Sequence, residues 1–350
     1  MKRVGILGLS QSGKSTLFQI LLTASGAAAS SQGREQIGMV QVPDERVDRL
    51  SALYKPKKTT YTQIQFVDTV AAGGQSARSA AKGTDLFAGV RNCDALVAVV
   101  RDFEDPAVPA EAGVDAARDL RTLDTELAFN DLAICETRIE RIEKELRIGK
   151  KQAEAEHAAL LRCRALLEQE RPLREAEITE DDLKLLRGFQ FMTLKPLLVV
   201  YNQDDASDRK PPAPGPGAGA VALRAHLERE IVSLPAADRP SFRAELGATE
   251  DGLSLVIRAC YELLGLLSFF TVGPDEVRAW TVQKGDTAVD AAGEIHSDLA
   301  KGFIRAETIP WDKLLEAGGH SQARDKGWLR LEGREYRVQD GDCFEIRFNK

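Results

Sequence analysis

The chain has 350 residues, 43% of them hydrophobic and 29% charged, with a formal net charge of −7. This balance is typical of globular proteins and leaves enough apolar material for two or three domains. The negative charge excludes a generally basic nucleic-acid-binding protein, so that a contact with RNA would need a local basic patch. The five cysteines form no CxxC pair, which argues against a zinc site or a disulfide framework and is typical of a reducing compartment.

Apolar runs along the chain are too short to cross a membrane. No run approaches eighteen residues, and the N-terminus carries no apolar signal segment. We therefore expect a cytoplasmic monomer with no membrane partner.

The N-terminus carries a phosphate-binding pattern. A short apolar strand over residues 3–9 precedes Gly8–Ser15, which matches GxxxxGK[ST], and an apolar-periodic helix follows. Small residues let backbone N–H groups curl around phosphate oxygens, Lys14 adds a positive charge, and the helix N-terminus favours the anion. The pattern predicts binding of a nucleoside triphosphate with Mg²⁺ on the hydroxyl of Ser15. The expected binding residues are Ser10, Gln11, Ser12, Gly13, Lys14, Ser15 and Thr16.

Further strands alternate with helices, which predicts a parallel α/β sheet covered on both faces. YTQIQFVDTV, CDALVAVVRDF and LKPLLVVYN have the apolar composition of buried strands. The small residues from Ala24 to Gly38 predict a mobile loop. The Pro- and Gly-rich stretch over residues 206–219 predicts an exposed, irregular loop.

Two strand ends carry polar residues with nucleotide chemistry. Asp68, in IQFVDTV, is the candidate acid that contacts Mg²⁺ directly or through water, and the alternative is a plain turn residue. Asn202 and Asp205 follow LLVVY, where a GTPase reads its base with Asn-Lys-x-Asp, and the alternative is a polar turn. A carboxylate at Asp205 could accept two hydrogen bonds from guanine, which adenine cannot supply.

Residues 125–188 are charged and helical, with no strand pattern. Two narrow apolar seams, one from Leu132 to Leu146 and one from Leu160 to Leu167, predict an antiparallel coiled hairpin that projects from the α/β domain. The alternative is two amphipathic helices packed on the sheet. Five basic residues near the predicted tip could contact RNA or form a solvated helix end: Arg141, Lys144, Arg147, Lys150 and Lys151.

The character of the chain changes near residue 269, after which short strand-like runs alternate with turns. This predicts a small α+β domain over residues 269–350. The predicted organisation is then an α/β domain over 1–124 and 189–268, the helical insertion over 125–188, and the C-terminal domain.

At this point the sequence resembles the YchF / Obg-like ATPase family along essentially its whole length. The segments that carry the resemblance include VPDERVDRL (42–50), RNCDALVAVVRDFED (91–105), LDTELAFNDL (123–132), IRACYELLGLLSFFT (257–271) and YRVQDGDCFEIRFN (336–349). The resemblance implies a Ras-like P-loop G domain, a coiled-coil insertion and a C-terminal, ubiquitin-like TGS domain. It also implies hydrolysis of ATP in preference to GTP, ribosome binding, and a role in translation or stress responses.

The sequence departs from the family pattern at positions that act on the γ-phosphate and the base. Gln32 falls where the family has a threonine that completes the Mg²⁺ shell, and Ala71 falls where the family has a glycine whose amide senses the γ-phosphate. Gln11 replaces an asparagine, Arg224 a small residue, and Asp205 a glutamate. Because these groups position the reaction, their loss should slow hydrolysis more than binding.

We therefore expect a nucleotide-binding protein that is a slow, Mg²⁺-dependent ATPase, with Lys14, Asp68 and Ala71 at the reacting phosphate. GTP stays open as a substrate, because Asp205 favours guanine while Gln203 and the resemblance favour adenine. The alternative function is a pseudo-NTPase, a binding scaffold in which nucleotide is a structural ligand. A metabolic kinase is disfavoured because the sequence has no evident substrate lid or acid–base pair.

Overall fold

The computed structural model describes residues 1–27, 30–32, 35–69, 87–105, 113–147, 153–207, 209–247 and 251–349. The chain divides into two compact units. The first comprises Met1–Val40 and Gln65–Leu263, and the second comprises Gln41–Ile64 and Leu264–Lys350. Within the described ranges, no helix is both long enough and apolar enough to cross a membrane.

Strands and helices are numbered along the chain. The strands are β1 (Arg3–Leu7), β2 (Ser30–Gln32), β3 (Glu35–Gln41), β4 (Lys58–Thr60), β5 (Gln63–Thr69), β6 (Ala95–Asp102), β7 (Leu197–Gln203), β8 (Ala218–Leu223), β9 (Leu266–Val272), β10 (Glu276–Gln283), β11 (Phe303–Pro310), β12 (Arg330–Glu332) and β13 (Asp342–Phe348). The helices are α1 (Lys14–Ala24), α2 (Glu45–Tyr54), α3 (Ala88–Arg91), α4 (Ala116–Arg147), α5 (Glu154–Leu167), α6 (Glu180–Leu186), α7 (Ala225–Ser233), α8 (Arg239–Glu245), α9 (Gly252–Leu263), α10 (Ala288–Ile295), α11 (Ser297–Lys301), α12 (Trp311–Ala317) and α13 (His320–Asp325).

The first unit is built on a sheet of strand order β2-β3-β5-β1-β6-β7-β8. β1 pairs in parallel with both β5 and β6, and β6, β7 and β8 continue the parallel run. Every residue of β7 is buried, as the continuous apolar pattern predicts for a strand covered on both faces. The predicted α/β class of this unit is confirmed.

The segment after α1 differs from its prediction. The sequence predicts a loop over residues 24–38, but β2 and β3 occupy part of it and pair antiparallel, with Ser30 opposite Ile37. Ile37 is buried in the core of the sheet beside Val67 and Leu7. One well-placed apolar residue therefore anchors a stretch whose small residues alone suggest no structure.

The long helix α4 joins the sheet to the helical insertion. Its first turns pack on the sheet, where Leu123 and Leu127 enter the same core cluster as Leu197. α4 begins at Ala116, nine residues before the predicted start of the insertion at 125. The helix therefore includes residues of the α/β unit as well as of the insertion.

Beyond these first turns, α4 packs antiparallel to α5. The Sγ atom of Cys135 donates to the carbonyl of Leu160 at 3.2 Å, and Arg138 pairs with Glu156 at 2.7 Å. As residue numbers increase along α4, those of the contacting residues on α5 decrease, which is the antiparallel arrangement. Residues of both predicted seams share one apolar cluster, including Ile139, Ile142 and Cys163. The two helices thus form a packed hairpin, and the link between them lies outside the described residues.

A buried carboxylate holds this hairpin to the chain that returns to the sheet. Asp131, fully buried on α4, accepts hydrogen bonds from the backbone N–H groups of Met192 and Thr193 and from the Thr193 hydroxyl, at 2.7–3.0 Å. Met192 and Thr193 are also fully buried, so bulk solvent does not reach these three donors.

Replacing Asp131 with alanine should therefore lower the free energy of unfolding by about 3 kcal/mol, since each buried donor left unpaired costs about 1–3 kcal/mol. Thermal and urea unfolding followed by circular dichroism would measure it. Glu140→Ala, at an exposed position of the same helix, is the matched control. A loss for Asp131→Ala no larger than the control's would contradict this role.

The second unit contains a sheet of strand order β12-β11-β13-β9-β10-β4. β9 and β10 form an antiparallel hairpin, α10 follows, and the last strand β13 lies beside β9 and parallel to it. Thr287 and Asp290 cap α10 reciprocally. This hairpin, helix and returning parallel strand confirm the predicted α+β, ubiquitin-like class for the C-terminal part.

Residues 41–64 also belong to this second unit. β4 extends the sheet beside β10, and α2 contributes Val47 and Leu50 to a core cluster that includes Phe270 and Val277. Residues 41–64 are predicted from the sequence to be part of the α/β domain, because they lie between two of its strands. The packing instead joins them to the domain predicted to start at residue 269.

Candidate functional site

The phosphate-binding pattern, Gly8–Ser15, forms the turn between β1 and α1, and this segment is named the phosphate turn. Gln11 and Gly13 adopt left-handed backbone conformations, with φ of 66° and 95°. Gly13 precedes α1 as its N-cap, so the first N–H groups of the helix open onto this turn. Below it, Leu17, Phe18 and Leu21 bury the apolar face of α1 against the sheet and hold the turn in place.

Glycine is required at Gly8 because the chain passes too close to its neighbours. A Cβ atom there would lie 2.7 Å from the carbonyl oxygen of Val99 on β6 and 2.5 Å from Ser12 Oγ. This close approach folds the turn over the ends of β1 and β6. It leaves the backbone of residues 8–14 shaped as an anion-binding concavity.

Asp68 lies beside this turn, in register with Ile6 of β1 near the end of β5. It is only 3% exposed, and Lys14 Nζ lies 3.8 Å from its Oδ1 atom. Burial raises the pKa of Asp68, while the ammonium of Lys14 and the hydroxyl of Ser15 act to lower it. The two residues predicted to contact Mg²⁺, Ser15 and Asp68, are therefore adjacent.

Two buried oxygens at this point make no hydrogen bond within the described part of the chain. They are Asp68 Oδ1 and Ser12 Oγ. Burying a polar oxygen without a partner costs free energy, so such atoms are expected where a ligand or ion completes the site. A carboxylate and a hydroxyl oxygen are also the hard donors that Mg²⁺ prefers. The residues present thus fit a magnesium ion.

Asn202, at the end of β7, ties the turn to α7. It is 5% exposed, its Nδ2 donates to the carbonyl of Ser12 at 3.1 Å, and its Oδ1 accepts from the N–H of Ala225 at 3.1 Å. Asn202 also packs so tightly on Gly13 that a Cβ atom at that position would overlap its amide. The structure therefore places Asn202 as a brace of the phosphate turn.

The residues after Asn202 are engaged in local contacts. Gln203 donates to Asp102 at 3.0 Å, and Asp204 accepts from the N–H of Glu104. Both carboxylate oxygens of Asp205 contact the start of α7: Oδ1 accepts from the N–H of Leu227 at 3.1 Å, and Oδ2 lies 2.7 Å from His226 Nδ1. The carboxylate of Asp205, which is predicted to read the base, thus contacts the first turn of α7.

A cavity of about 520 Å³ opens beside the phosphate turn. The predicted site residues that line it are Gln11, Gly13, Thr16, Asn202 and Asp205, and the remainder are Phe103, Glu104, Asp105, Gln203, Asp204, Ala225, His226 and Arg229. Its volume falls in the range of small-molecule sites. It runs from the N-terminus of α1 to the carboxyl ends of β6 and β7, where ligands bind in open α/β sheets.

Two contributions to the cavity are not predicted from the sequence: that of the residues after β6 and that of α7. One signal is available for the first: Asp102–Asp105 stand at the end of the apolar run predicted to be a buried strand, and ligands bind at the carboxyl ends of the strands in open α/β sheets. For His226 and Arg229 the sequence offers only their place in the segment after a short strand. Their arrival at the cavity depends on how α7 packs against α1.

Several predicted residues do not enter this geometry. Ala71 lies outside the described residues, as do Lys150 and Lys151. Gln32 ends β2, opposite Glu35 of β3. Arg224 is the N-cap of α7. Ser10 is exposed on the phosphate turn and does not line the cavity.

Comparison with known proteins finds relatives along the whole chain. The "Ribosome-binding ATPase YchF" of Bacillus subtilis (strain 168) is 38% identical over 360 residues, which cover 99% of this chain and 98% of that protein. The protein of the same name from Escherichia coli O157:H7 is 37% identical over 359 residues, which cover 99% of each chain.

A family model and a solved structure agree with these relatives. The model for the C-terminal domain of YchF GTPases, described as "Protein of unknown function (DUF933)", matches residues 266–349. The structure of the YchF GTPase of Schizosaccharomyces pombe matches with a TM-score of 0.84 at 26% identity, covering 99% of this chain and 97% of the other.

Proposed function

This chain belongs to the YchF family, and on that premise we propose that it is a slow, Mg²⁺-dependent ATPase that acts as a switch at the ribosome in translation or stress regulation. Its named relatives are ribosome-binding ATPases, and one related structure is that of a GTPase. The nucleotide would occupy the cavity between the phosphate turn and the start of α7. We place this activity in the cytoplasm.

One observation carries the proposal: the phosphate turn, Lys14, Ser15 and Asp68 come together, and two oxygens there, Asp68 Oδ1 and Ser12 Oγ, are buried without a hydrogen bond among the described residues. The anionic triphosphate matches the N-terminus of α1 and the ammonium of Lys14. The cavity, which Gln11, Gly13 and Thr16 line at this end of α1, has room for a nucleoside.

Different residues of the site would bind the phosphates, hold Mg²⁺ and support the phosphate turn during hydrolysis. Backbone N–H groups of residues 10–16 and the ammonium of Lys14 hold the phosphates and neutralise the charge that builds up as the terminal phosphoryl group leaves. Ser15 and Asp68 would hold Mg²⁺, which neutralises further charge on the phosphate oxygens. Asn202 keeps the turn in this shape through its two hydrogen bonds.

Hydrolysis should be slow because the residues that sense the γ-phosphate depart from the family pattern. We expect turnover on the order of 10⁻³ s⁻¹ or below, similar to an unassisted GTPase of the Ras type. Phosphate release from ATP, measured on the purified chain, tests this directly. Turnover near 1 s⁻¹ without any partner would contradict it.

A pseudo-NTPase that uses nucleotide as a structural ligand is the second candidate function. It is supported by the pairing of β2 with β3, which places Gln32 in a strand instead of a free switch loop. Limited proteolysis with ATP, ADP and no nucleotide separates the two functions. Cleavage that differs between ATP and ADP supports a switch, whereas equal protection by both supports a scaffold.

For the ribosome contact we propose the exposed basic residues near the end of α4. Arg141, Lys144 and Arg147 recur at spacings of three residues on that helix and are all exposed. Replacing all three with alanine should weaken co-sedimentation with ribosomes, and the weakening should be greatest at low salt. The triple replacement of Lys55, Lys57 and Lys58 in the second unit is the charge-matched control. Equal losses in both variants would refute a contact through α4.

A further inference from the structure

His226 lies in the first turn of α7 and lines the nucleotide cavity. Its side chain is 58% exposed, and its Nδ1 atom is 2.7 Å from Asp205 Oδ2. No part of the proposed hydrolysis uses this residue. It is nevertheless a polar ring that lines the same cavity as Phe103 and Asn202.

The carboxylate of Asp205 contacts α7 as well as lining the cavity. Reading guanine requires both carboxylate oxygens, one for the ring N–H and one for the amino group. Here Oδ1 accepts the N–H of Leu227 and Oδ2 faces the imidazole of His226. Each oxygen therefore has one contact with the first turn of α7, and these two contacts fix the orientation of the carboxylate beside the cavity.

The contact with Asp205 sets the hydrogen-bonding character of the imidazole. A carboxylate can only accept, so Nδ1 of His226 must carry the proton of that bond. In the neutral ring the other nitrogen, Nε2, is then an acceptor. Glu230 Oε1 is 3.9 Å from Nε2, which is too far for a hydrogen bond.

We propose that His226 selects the base, presenting Nε2 as an acceptor to the 6-amino group of adenine, while Asp205 positions the ring. This inference rests on the proposed function and deepens it. Adenine carries a donor at its 6 position, whereas guanine carries the acceptor O6, which would meet the lone pair of Nε2. The same pair of residues therefore favours ATP and disfavours GTP.

Equilibrium binding of ATP and GTP to the full chain with Mg²⁺ tests this inference. The wild type should bind ATP about tenfold more tightly than GTP, the scale of one hydrogen bond made to one base and denied to the other. His226→Ala should bring the two dissociation constants within about twofold, and His226→Lys, which can only donate, should reverse the preference. Asp205→Ala should reduce the preference in the same direction as His226→Ala.

Glu230→Ala is the matched control, because it removes the other carboxylate near the imidazole on the same helix and should leave the preference unchanged. A GTP preference in the wild type would overturn the inference. So would an ATP preference that survives in His226→Ala, or an equal loss of both nucleotides, which would show a merely structural role. Failure of the wild type to bind either nucleotide would instead refute the proposed function itself.

Discussion

Replacing Lys14 with alanine is expected to reduce ATP hydrolysis by about 10²–10³-fold, the effect of removing one preorganised positive group from a developing oxyanion. Lys14 is the cationic side chain of the phosphate turn, and its Nζ lies 3.8 Å from Asp68. Its loss also leaves the buried carboxylate of Asp68 without its cationic neighbour. Steady-state phosphate release at saturating ATP would measure the change.

The control for this variant is Lys2→Ala, which removes a lysine of the same unit. Lys2 pairs with Asp94 at 3.6 Å, and both side chains are 38% exposed, so the pair should contribute little. Both variants should show the same circular dichroism spectrum as the wild type. Unchanged hydrolysis in Lys14→Ala would mean that the observed phosphate release comes from another site or from a contaminant.

A second large effect is expected for Gly13→Ala. Gly13 has φ of 95°, which costs a residue with a side chain about 1–2 kcal/mol. Its added Cβ would also overlap the amide of Asn202, which braces the turn through Ser12 and Ala225. We expect ATP binding to weaken by at least about tenfold, since the displaced brace and the strained turn each exceed 1 kcal/mol.

The variant Gly26→Ala separates the effect of backbone strain from the effect of steric overlap with Asn202. Gly26 has a similar left-handed conformation, with φ of 60°, but a Cβ atom there would meet nothing within 4 Å. This variant should lose some thermal stability and keep its affinity for ATP. Isothermal titration with ATP and Mg²⁺ would compare the two variants, and equal affinities would show that the brace at Asn202 does not control the phosphate turn.

Local patterns were enough to predict the phosphate turn and the strands around it. The spacing from Gly8 to Ser15 requires a strand before it and a helix after it, and both are present. The apolar runs at β6 and β7 are typical of buried parallel strands. Asp68 and Asn202 were predicted because each follows such a run at the edge where parallel strands end.

The rest of the site depends on contacts between distant parts of the chain. His226 and Leu227 closely follow Arg224, a position of the family pattern, but that pattern assigns them no role, and the packing of α7 brings them to Asp205. The sequence favoured a base-reading role for Asp205 because the position alone carries that meaning. The structure adds that each of its oxygens contacts the first turn of α7, so Asp205 also positions the ring of His226.

Domain membership was equally hard to predict for residues 41–64. These residues lie between β3 and β5 in sequence, so continuity favours the α/β domain. Their burial decides otherwise: Val47 and Leu50 are fully buried beside Phe270, and β4 pairs with β10. The periodicity of an amphipathic helix shows which of its faces is apolar. It does not show which hydrophobic core that face packs against.

Calorimetric titration of the full chain with ATP, in the presence of Mg²⁺ and again with the metal removed by EDTA, tests the central claim most directly. We expect one ATP per chain, an affinity that falls by about tenfold or more without Mg²⁺ as the site at Ser15 and Asp68 loses its ion, and much weaker binding of AMP. Absent binding, or equal affinities for ATP and AMP with and without the metal, would contradict it.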